Sequence, residues 1–363
     1  MAKFDVLLPV KDGIAFLGEA LDSIVQQSFT DWRLLVLDHG SSDGSTELAQ
    51  RYAERDARIE VYQLPTAQGL SGLLNAGLAR CDCNYVLRQD ADDISLPQRM
   101  AVLAEAFEAD PALAVIGSLG DVIDAHGNTI GSIDVPTEPY GIAAGALFRT
   151  PVCHPAAALR LEALQHLGAR YGDDFMQALP KERRLHVPGL AEDYFLFGQM
   201  ALLAPCINLS RKLIKYRWHG TNISATKYLE QMRVALRISR YLAESLSIRQ
   251  QLPYVDPALF CNHADRLFDL GTQRDWSDAY ASAYATLSTT LREWLPASPA
   301  LERELAFRKV IATRSKSLMT VRFGVYATRY GVRPSEARTI KSWLLHGLKK
   351  QPILTLTASG LGV

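Results

Sequence analysis

Short apolar runs alternate with segments of helical spacing from residue 4 to residue 107, and this alternation constrains the fold more than any other feature. The first apolar run covers residues 4–10, and apolar side chains then recur at helical intervals between Ile14 and Val25. Further apolar runs, each followed by a helical pattern, lie at residues 34–37, 59–64 and 85–87. Strands that alternate with helices predict a mostly parallel sheet that is covered on both faces.

Polar clusters follow three of these predicted strands. Ligands of such sheets bind at the carboxyl ends of the strands, so we expect the three clusters to meet at one binding site. The clusters are Lys11–Gly13, Asp38–Gly44 and Asp90–Asp93.

The character of the chain changes near residues 222–228. Before this point we predict two strands around a turn at 126–128, a polar loop at 170–189 and a strand at 213–218. After it the pattern is helical almost to residue 350, with prolines as interruptions. We therefore predict an α/β domain over residues 1–224 and a mainly α-helical C-terminal region over 225–363.

The charges of the chain are divided unevenly. The 39 basic and 39 acidic residues cancel, which argues against a nucleic-acid partner. Residues 305–350 nevertheless contain eleven basic residues and one acid, so a basic C-terminal region follows an acidic body. Within it an apolar stripe runs beside basic residues and either lies on an anionic membrane surface or packs against the catalytic domain or a partner chain. The stripe comprises Ile340, Trp343, Leu344 and Leu348.

The compartment is predicted from what the sequence lacks. Five cysteines occur without a CxxC pair, so neither a disulfide framework nor a zinc site is indicated. A strand-like run begins at Phe4 and leaves no room for a signal peptide, and no apolar stretch reaches about 18 residues. We expect a cytoplasmic protein, with the inner face of the membrane as a second location if the basic region binds lipid.

The Asp90-Ala91-Asp92-Asp93 cluster is the strongest local signal for chemistry. Three carboxylates in four residues repel one another unless a cation or hydrogen-bond donors compensate. Mg²⁺ and Mn²⁺ bind through one or two carboxylates and complete their shells with substrate phosphate and water. The next helix is predicted to open with a capping box at Ser95–Gln98 that has proline in its first turn. The alternative for the acidic cluster is a solvated turn in which Asp93 caps the helix. The position after the fourth strand favours the metal site.

Three other positions each have a functional and a structural interpretation. Asp38 lies in a Gly/Ser-rich turn that could bind a base or ribose, or could simply cap the next helix. Glu192 and Asp193 open an apolar helical run, where they could act as a general base or only match the helix dipole. His219 follows a predicted strand and could contact a metal or phosphate, although a lone histidine is more often structural.

Taken together, the residues over 3–224 resemble family 2 glycosyltransferases, which are inverting enzymes of the GT-A (nucleotide-diphospho-sugar transferase) fold. The matching elements occur in the family's order: Leu8–Asp12, Leu21–Ser28, Val36–Ser45, Gly69–Leu78, Arg88–Arg99, His154-Pro155, Ala191–Tyr194 and Tyr216–His219.

This resemblance implies the roles of individual residues. Asp193 is then the catalytic base with Glu192 beside the acceptor, and Asp92 and His219 hold Mn²⁺ or Mg²⁺. Contacts to the nucleotide sugar are expected from Pro9, Val10, Asp12, Asp38, Gly40, Ser71, Asn75, Gln89, Asp90 and Ala91.

The resemblance also implies the reaction. A sugar passes from a nucleotide sugar, with UDP-sugars the first choice, to a hydroxyl of a glycan or lipid-linked saccharide in cell-surface polysaccharide or lipopolysaccharide biosynthesis. Three departures put the identity of the nucleotide in doubt: His39 replaces a second acid, Leu74 replaces a frequent arginine, and Asp12 replaces a common asparagine.

Two rival functions stay open at this stage. A non-catalytic protein could keep the fold and bind the nucleotide sugar, although the intact Asp90, Asp92 and Asp193 argue against it. A nucleotidyltransferase would carry a Gly-rich loop with arginine or lysine after the first strand, and no such loop follows Val10.

Overall fold

The computed structural model describes residues 3–220, 226–262, 268–269, 276–313, 315–345, 354–357 and 360–361. The chain divides into two compact units. Unit 1 comprises Met1–Thr137, Pro151–Met176 and Leu185–Thr226, and unit 2 comprises Glu138–Thr150, Gln177–Arg184 and Lys227–Val363. The last division falls within the 222–228 range that the sequence indicates. The two earlier segments of unit 2 interrupt unit 1 at places where the sequence carries no composition change.

Unit 1 is built from the predicted alternation of strands and helices. Its strands are β1 Phe4–Val10, β2 Trp32–Asp38, β3 Ile59–Gln63, β4 Tyr85–Arg88, β5 Ile94–Ser95, β6 Val115–Ile123, β7 Thr129–Ile133, β8 Ala158–Arg160 and β9 Cys206–Arg217. Its helices are α1 Ile14–Val25, α2 Ser45–Ala53, α3 Gly69–Leu78, α4 Arg99–Ala109, α6 Leu161–Leu167 and α7 Glu192–Leu203, while α5 Pro139–Gly145 lies in a segment of unit 2.

Among the described residues, nine strands form the main sheet. Its order is β3-β2-β1-β4-β8-β6-β9-β5, with β7 paired to β6. The first four strands in this order are parallel, whereas β8 is antiparallel to both of its neighbours and β5 is antiparallel to β9. The prediction of a mostly parallel sheet is therefore confirmed for the first half of unit 1.

The core of unit 1 explains why the first strands read as continuous apolar runs. Every residue of β1 is buried and only Arg33 of β2 is not, because helices cover both faces of the sheet. The helix α3 comes close to this sheet at Gly77, where a Cβ atom would lie 2.6 Å from Leu37 Cδ1 and 3.0 Å from Leu7 Cδ2. The absence of a side chain at this position sets the helix-to-sheet distance.

One local prediction is wrong. Ser95 and Gln98 do not form a capping box, because Ser95 belongs to β5 and pairs with Ile214 of β9. Helix α4 begins four residues later, at Arg99, and the side chain of Gln98 makes no cap hydrogen bond. Pairing with a strand more than a hundred residues away overrides the local helix-start signal.

Unit 2 is mainly helical, as its sequence pattern predicts. After α5 its helices are α8 Tyr228–Gln250, α9 Trp276–Trp294, α10 Pro299–Ile311, α11 Lys316–Tyr330 and α12 Pro334–Leu344. Three short strands, β10 Phe268–Asp269, β11 Leu354–Thr357 and β12 Gly360–Leu361, form a small second sheet that the sequence analysis did not anticipate. No helix in the described part of the chain has the length and apolar character needed to cross a membrane.

The apolar stripe at residues 340–348 is used inside unit 2. Ile340 and Trp343 are only 3% and 5% exposed, and they pack with Phe307, Ile311 and Tyr326. Leu344 packs against the same cluster, and Leu348 lies outside the described residues. For this stripe the structure favours packing over a membrane contact, and the prediction of a membrane surface for the basic region stays untested.

We predict that Gly77→Ala lowers the free energy of unfolding by about 1–3 kcal/mol, because the new methyl group overlaps Leu37 and Leu7. The matched control is Gly18→Ala in α1, where nothing lies within 4 Å of the added Cβ. This control should be neutral or stabilising by up to about 1 kcal/mol, as alanine favours helix. Urea unfolding followed by circular dichroism measures both, and equal stability of the two variants would refute the proposed close approach.

Candidate functional site

The polar clusters meet at one edge of the sheet because of its register. Val10 at the end of β1 lies opposite Asp38 at the end of β2. On the other side of β1, Leu7 lies opposite Arg88, so the chain that leaves β4 passes beside the end of β1. A Cβ atom on Gly13 would be 3.7 Å from Ala91 Cβ, which places the two loops in contact. The expected convergence at the carboxyl ends of the strands is confirmed.

Hydrogen bonds fix the loops after β1 and β2 to each other. Asp12 Oδ1 accepts from the backbone N–H of Ser42 at 2.7 Å, and the Ser41 hydroxyl accepts from the Asp12 N–H at 3.0 Å. Asp38 is buried and accepts from the Ser41 N–H at 3.1 Å and from the Thr46 hydroxyl at 3.0 Å. Gly40 has φ of +76°, a conformation that glycine adopts readily. These contacts fix the turn at the predicted base-binding position.

The three carboxylates of the second cluster lie together. One oxygen each of Asp90, Asp92 and Asp93 falls within 4.8 Å of the other two. Each carboxylate also has a donor or cation at its side: the Arg88 guanidinium bonds to Asp90, His219 Nε2 is 2.9 Å from Asp92 Oδ2, and the backbone N–H of Arg217 donates to Asp93 Oδ1 at 2.7 Å. The interpretation of Asp93 as a helix cap is wrong, because it bonds to β9 instead of α4.

The cluster has the character of a site for a hard divalent cation. Burial, followed by the charge of Asp90, raises the pKa of Asp92 and raises that of Asp93 still further. Asp93 Oδ2 is buried and accepts no hydrogen bond from the described residues. Oxygen donors crowded at this density with excess negative charge fit Mg²⁺ or Mn²⁺. The residues present therefore fit the predicted cofactor, with Asp93 as an additional member of the cluster.

His219 is in direct contact with the carboxylate cluster. Its Nε2 atom bonds to Asp92, and its ring packs on Phe16 with centroids 5.1 Å apart. The structure therefore brings both predicted metal-site residues together. Direct coordination by His219, as opposed to orientation of Asp92, remains a prediction.

Arg88 belongs to the Arg88–Arg99 motif, but the sequence alone predicted no role for it. Its side chain is 1% exposed, and its Nε–H donates to His154 Nε2 at 3.1 Å. The Tyr171 hydroxyl lies 3.1 Å from the same His154 nitrogen, and burial together with Arg88 lowers the pKa of His154. Arg88 thus places a permanent positive charge beside Asp90, held by a neutral histidine.

Arg217 is a second buried cation that the sequence analysis did not single out. It is 1% exposed, and its Nε–H donates to the Asp92 carbonyl at 2.9 Å while Nη2 bonds to Glu19 Oε2 at 2.8 Å. The guanidinium also lies 4.6 Å from the centre of the Phe16 ring. Arg88 ends an otherwise apolar strand, and a charge in that position is a signal that predicts a buried partner. Arg217 ends a strand with several other charged residues, so the sequence carries no such signal for it.

Glu192 and Asp193 form the first turn of α7. Glu192 is buried, and Asp193 is half-buried. Burial raises the pKa of Glu192 to about 7, with Asp193 contributing next, and burial raises the pKa of Asp193 to about 6 with Asp90 adding to it. Leu190 and Ala191 directly before the helix have φ of +56° and +61°, which is strained for residues with side chains. The structure thus holds a pair of carboxyl groups that can exchange a proton near neutral pH.

Three predicted nucleotide-sugar contacts have structural hydrogen bonds. Asn75 bonds through both atoms of its amide to the backbone of Tyr171, each at 2.9 Å, and the Ser71 hydroxyl donates to the Val187 carbonyl at 3.1 Å. The Gln89 amide donates to the carbonyls of Asp90 and Asp93. These side chains hold the backbone at Tyr171 and Val187 and the carboxylate loop in place. Their contact with a ligand, like that of Pro9, Val10 and Ala91, stays a prediction.

Comparison with known proteins gives one family for the first part of the chain. Residues 5–168, somewhat under half of the 363, match the family described as glycosyl transferase family 2. EpsE of Bacillus subtilis (strain 168), named as a glycosyltransferase, is 32% identical over 167 residues, which is 46% of this chain and 59% of EpsE. The O-antigen biosynthesis glycosyltransferase WbnJ of Escherichia coli is 26% identical over 241 residues, or 64% of this chain and 87% of WbnJ.

Two solved structures have a similar fold. The crystal structure of S. aureus TarS 1-349 in complex with UDP-GlcNAc has a TM-score of 0.51 at 15% identity and covers 94% of this chain and 89% of that one. The mannosyltransferase PcManGT from Pyrobaculum calidifontis, in complex with GDP-Man and Mn²⁺, has a TM-score of 0.50 at 15% identity, with coverage of 95% and 85%. At these identities the likeness concerns the fold alone, and the predicted fold class is confirmed.

We predict that the double variant Glu192→Gln/Asp193→Asn is more stable than the wild type at alkaline pH. Both pKa values are raised on folding, so the folded protein binds more protons than the unfolded protein between about pH 4 and pH 7, and stability falls as the pH rises through this window. The variant escapes this loss and should gain several kcal/mol at about pH 8, with about 6 kcal/mol as the upper bound set by the two shifts, and less than about 1 kcal/mol at about pH 4. Urea unfolding at both pH values measures the gain. The same pH dependence in both proteins would contradict the raised pKa values.

Proposed function

We propose that this chain, whose residues 5–168 belong to glycosyl transferase family 2, transfers a sugar from a nucleotide-sugar donor to an acceptor hydroxyl with inversion at the anomeric carbon. One observation carries the proposal: the carboxylates of Asp90, Asp92 and Asp93 cluster at the strand ends, and Asp90 is near enough to raise the pKa of Asp193. The candidate base Asp193 is thus close enough to the carboxylate cluster, which would hold the cation and the diphosphate, to interact with it electrostatically.

The donor side of the reaction rests on the strand-end loops. Asp38 and Gly40 form the turn that would receive the base and ribose of the nucleotide. Asp90, Asp92 and Asp93 would hold Mn²⁺ or Mg²⁺, and a bound cation would offset the negative charge that develops on the leaving diphosphate. Arg88 holds Asp90 in position, and His219 does the same for Asp92.

The acceptor side rests on α7. A carboxyl group with a pKa of about 6 is largely ionised at neutral pH, so Asp193 can accept the proton of an acceptor hydroxyl. The hydroxyl oxygen forms its bond to the anomeric carbon from the face opposite the diphosphate, whose bond to that carbon breaks. Glu192 beside it keeps a pKa of about 7 and would bind the acceptor.

The proposed substrates follow the relatives. TarS and PcManGT are in complex with UDP-GlcNAc and GDP-Man, which supports a nucleotide-sugar donor, and we retain a UDP-sugar as first choice. WbnJ is named for O-antigen biosynthesis, which supports a glycan or lipid-linked saccharide acceptor in surface-polysaccharide assembly. A cytoplasmic location remains part of the proposal.

We predict that Asp193→Asn lowers kcat at least a hundredfold while KM for the donor changes little, because the amide cannot accept the acceptor proton. Single-turnover transfer to an acceptor measures the step. Asp31→Asn, the same chemical change at an exposed position before β2, is the matched control and should retain full activity.

The outcomes of this test are distinct. Activity of Asp193→Asn within about tenfold of the wild type, equal to roughly 1.4 kcal/mol of barrier, would remove Asp193 as the base. If Glu192→Gln shows the large loss in its place, the base is Glu192.

We predict that donor hydrolysis or transfer disappears in a chelator and returns with Mn²⁺ or Mg²⁺, and that Asp92→Ala abolishes it in the presence of either metal. Screening UDP-, GDP- and dTDP-sugars in this assay identifies the donor. If several donors bind, as measured by calorimetry, yet none is hydrolysed or transferred, the non-catalytic binding protein becomes the better description. Full activity of Asp92→Ala would refute the metal site.

A further inference from the structure

Helix α11 in unit 2 has two faces of different character. Met319, Phe323, Tyr326 and Tyr330 face the core of unit 2. A second face, beside the first, consists of positions spaced at i, i+3, i+4, i+7 and i+11, which lie on one side of a helix. These positions are Leu318, Val321, Arg322, Val325 and Arg329.

The second face exposes apolar side chains at positions where a helix in contact with water alone usually has polar residues. Val321 and Val325 are 62% and 64% exposed, and Leu318 is 44% exposed. Single exposed apolar residues are ordinary, but three on one stripe of one helix are typical of a contact surface. No acidic residue occurs anywhere in the helix. The stripe is therefore apolar and basic at once.

A groove lies along the same face, between α11 and the helices α9 and α10. It has a volume of about 380 Å³, and its lining includes Lys309, Arg322 and Arg329. Arg322 donates to Thr313 Oγ1 at 2.6 Å, and Arg329 lies 5.2 Å from the centre of the Tyr330 ring. Arg329 also contributes, after Arg292, to lowering the pKa of Glu302 in the lining. The acid in the lining, Glu302, is engaged by two hydrogen bonds from Arg292, each of 2.9 Å.

The combination of positive charges and exposed apolar side chains on this face favours one kind of binding partner over another. A second copy of the chain would bring Arg322 and Arg329 against the same cations in a symmetric contact, which like-charge repulsion disfavours. A bilayer that contains anionic phospholipid offers phosphate groups to the cations and an apolar interface to the valines. Each cation near such a surface contributes about fivefold to binding.

We propose that the Leu318–Arg329 face of α11, together with its groove, docks unit 2 on an anionic phospholipid bilayer. Lipid phosphates bind at Lys309, Arg322 and Arg329, and the side chains of Leu318, Val321 and Val325 enter the headgroup region. The site differs from the stripe around Ile340 and Trp343 that the sequence indicated, since those residues are buried in the core. The proposal does not depend on the sugar-transfer reaction.

The test is flotation of the full-length protein with vesicles. One set contains phosphatidylcholine alone and the other about 30 mol% phosphatidylglycerol. We expect binding only to the anionic vesicles, with a decline as salt is raised. Arg322→Gln/Arg329→Gln should lower the partition coefficient about 30-fold, and Val321→Ser/Val325→Ser about tenfold, because the second pair removes exposed methyl groups.

Matched controls separate this face from general charge and hydrophobicity. Arg51→Gln/Arg55→Gln removes two exposed charges from unit 1, and Ile130→Ser/Ile248→Ser removes two apolar side chains that are 57% and 47% exposed. Both controls should bind like the wild type, and thermal unfolding verifies that every variant is folded. Wild-type binding by both α11 variants, equal binding to the two vesicle types, or no binding by the wild type would each overturn the proposal. So would a dimer, detected without vesicles by light scattering, that the valine variant dissociates.

Discussion

The repulsion among the carboxylates of Asp90, Asp92 and Asp93 is the constraint that the surrounding structure satisfies. Three such groups within 4.8 Å, one of them almost completely buried, cost free energy unless positive charge and hydrogen-bond donors face them. Arg88 approaches from β4 and Arg217 from β9, two strands far apart in the sequence. Burial, followed by the charge of Asp90, still raises the pKa values of Asp92 and Asp93, and a divalent cation would stabilise their ionised forms.

Buried side chains also hold the backbone of the carboxylate loop in place. Gln89 and Arg99 are fully buried, and Arg99 donates to the carbonyls of Arg88 and Pro155 at 2.9 and 2.7 Å. The Gln89 amide spans the loop by bonding to the carbonyls of Asp90 and Asp93. Such contacts fix the carboxylates in one arrangement, so the proposed reaction would need little reorganisation of this loop. The side chains of Gln89 and Arg99 therefore set the geometry of the carboxylate loop.

The basic residues of unit 2 have different structural roles, which the net charge of the region does not distinguish. Arg308 belongs to the basic block, yet it is fully buried and bonds to Glu304 and to Asn262. Arg333 likewise lies near Glu336, which Arg303 holds at 2.9 Å. Other members of the block, such as Lys309 and Arg329, line a groove at the surface. The same excess of basic residues therefore serves both internal ion pairs and an outward surface.

By itself the sequence determined the elements that depend on local periodicity. The four alternating strands and helices, the helical C-terminal region and the boundary near Thr226 are all visible as patterns, because burial on one or both faces dictates where apolar residues recur. The chemical candidates Asp38, Asp90, Asp92 and Asp193 are visible for a related reason: ligand-binding residues follow the strands of such a sheet directly in the sequence.

Only the tertiary structure decided how these candidates are held and which neighbours they have. Ser95 became part of a strand because β9 pairs with it, and Asp93 bonds to Arg217 across a sequence distance that no local pattern encodes. Likewise, the apolar stripe of α12 is buried, whereas α11 has one apolar stripe in the core and a second one that is exposed. Which side of a helix meets a neighbour depends on the packing of the whole unit, and the sequence of one helix does not contain that information.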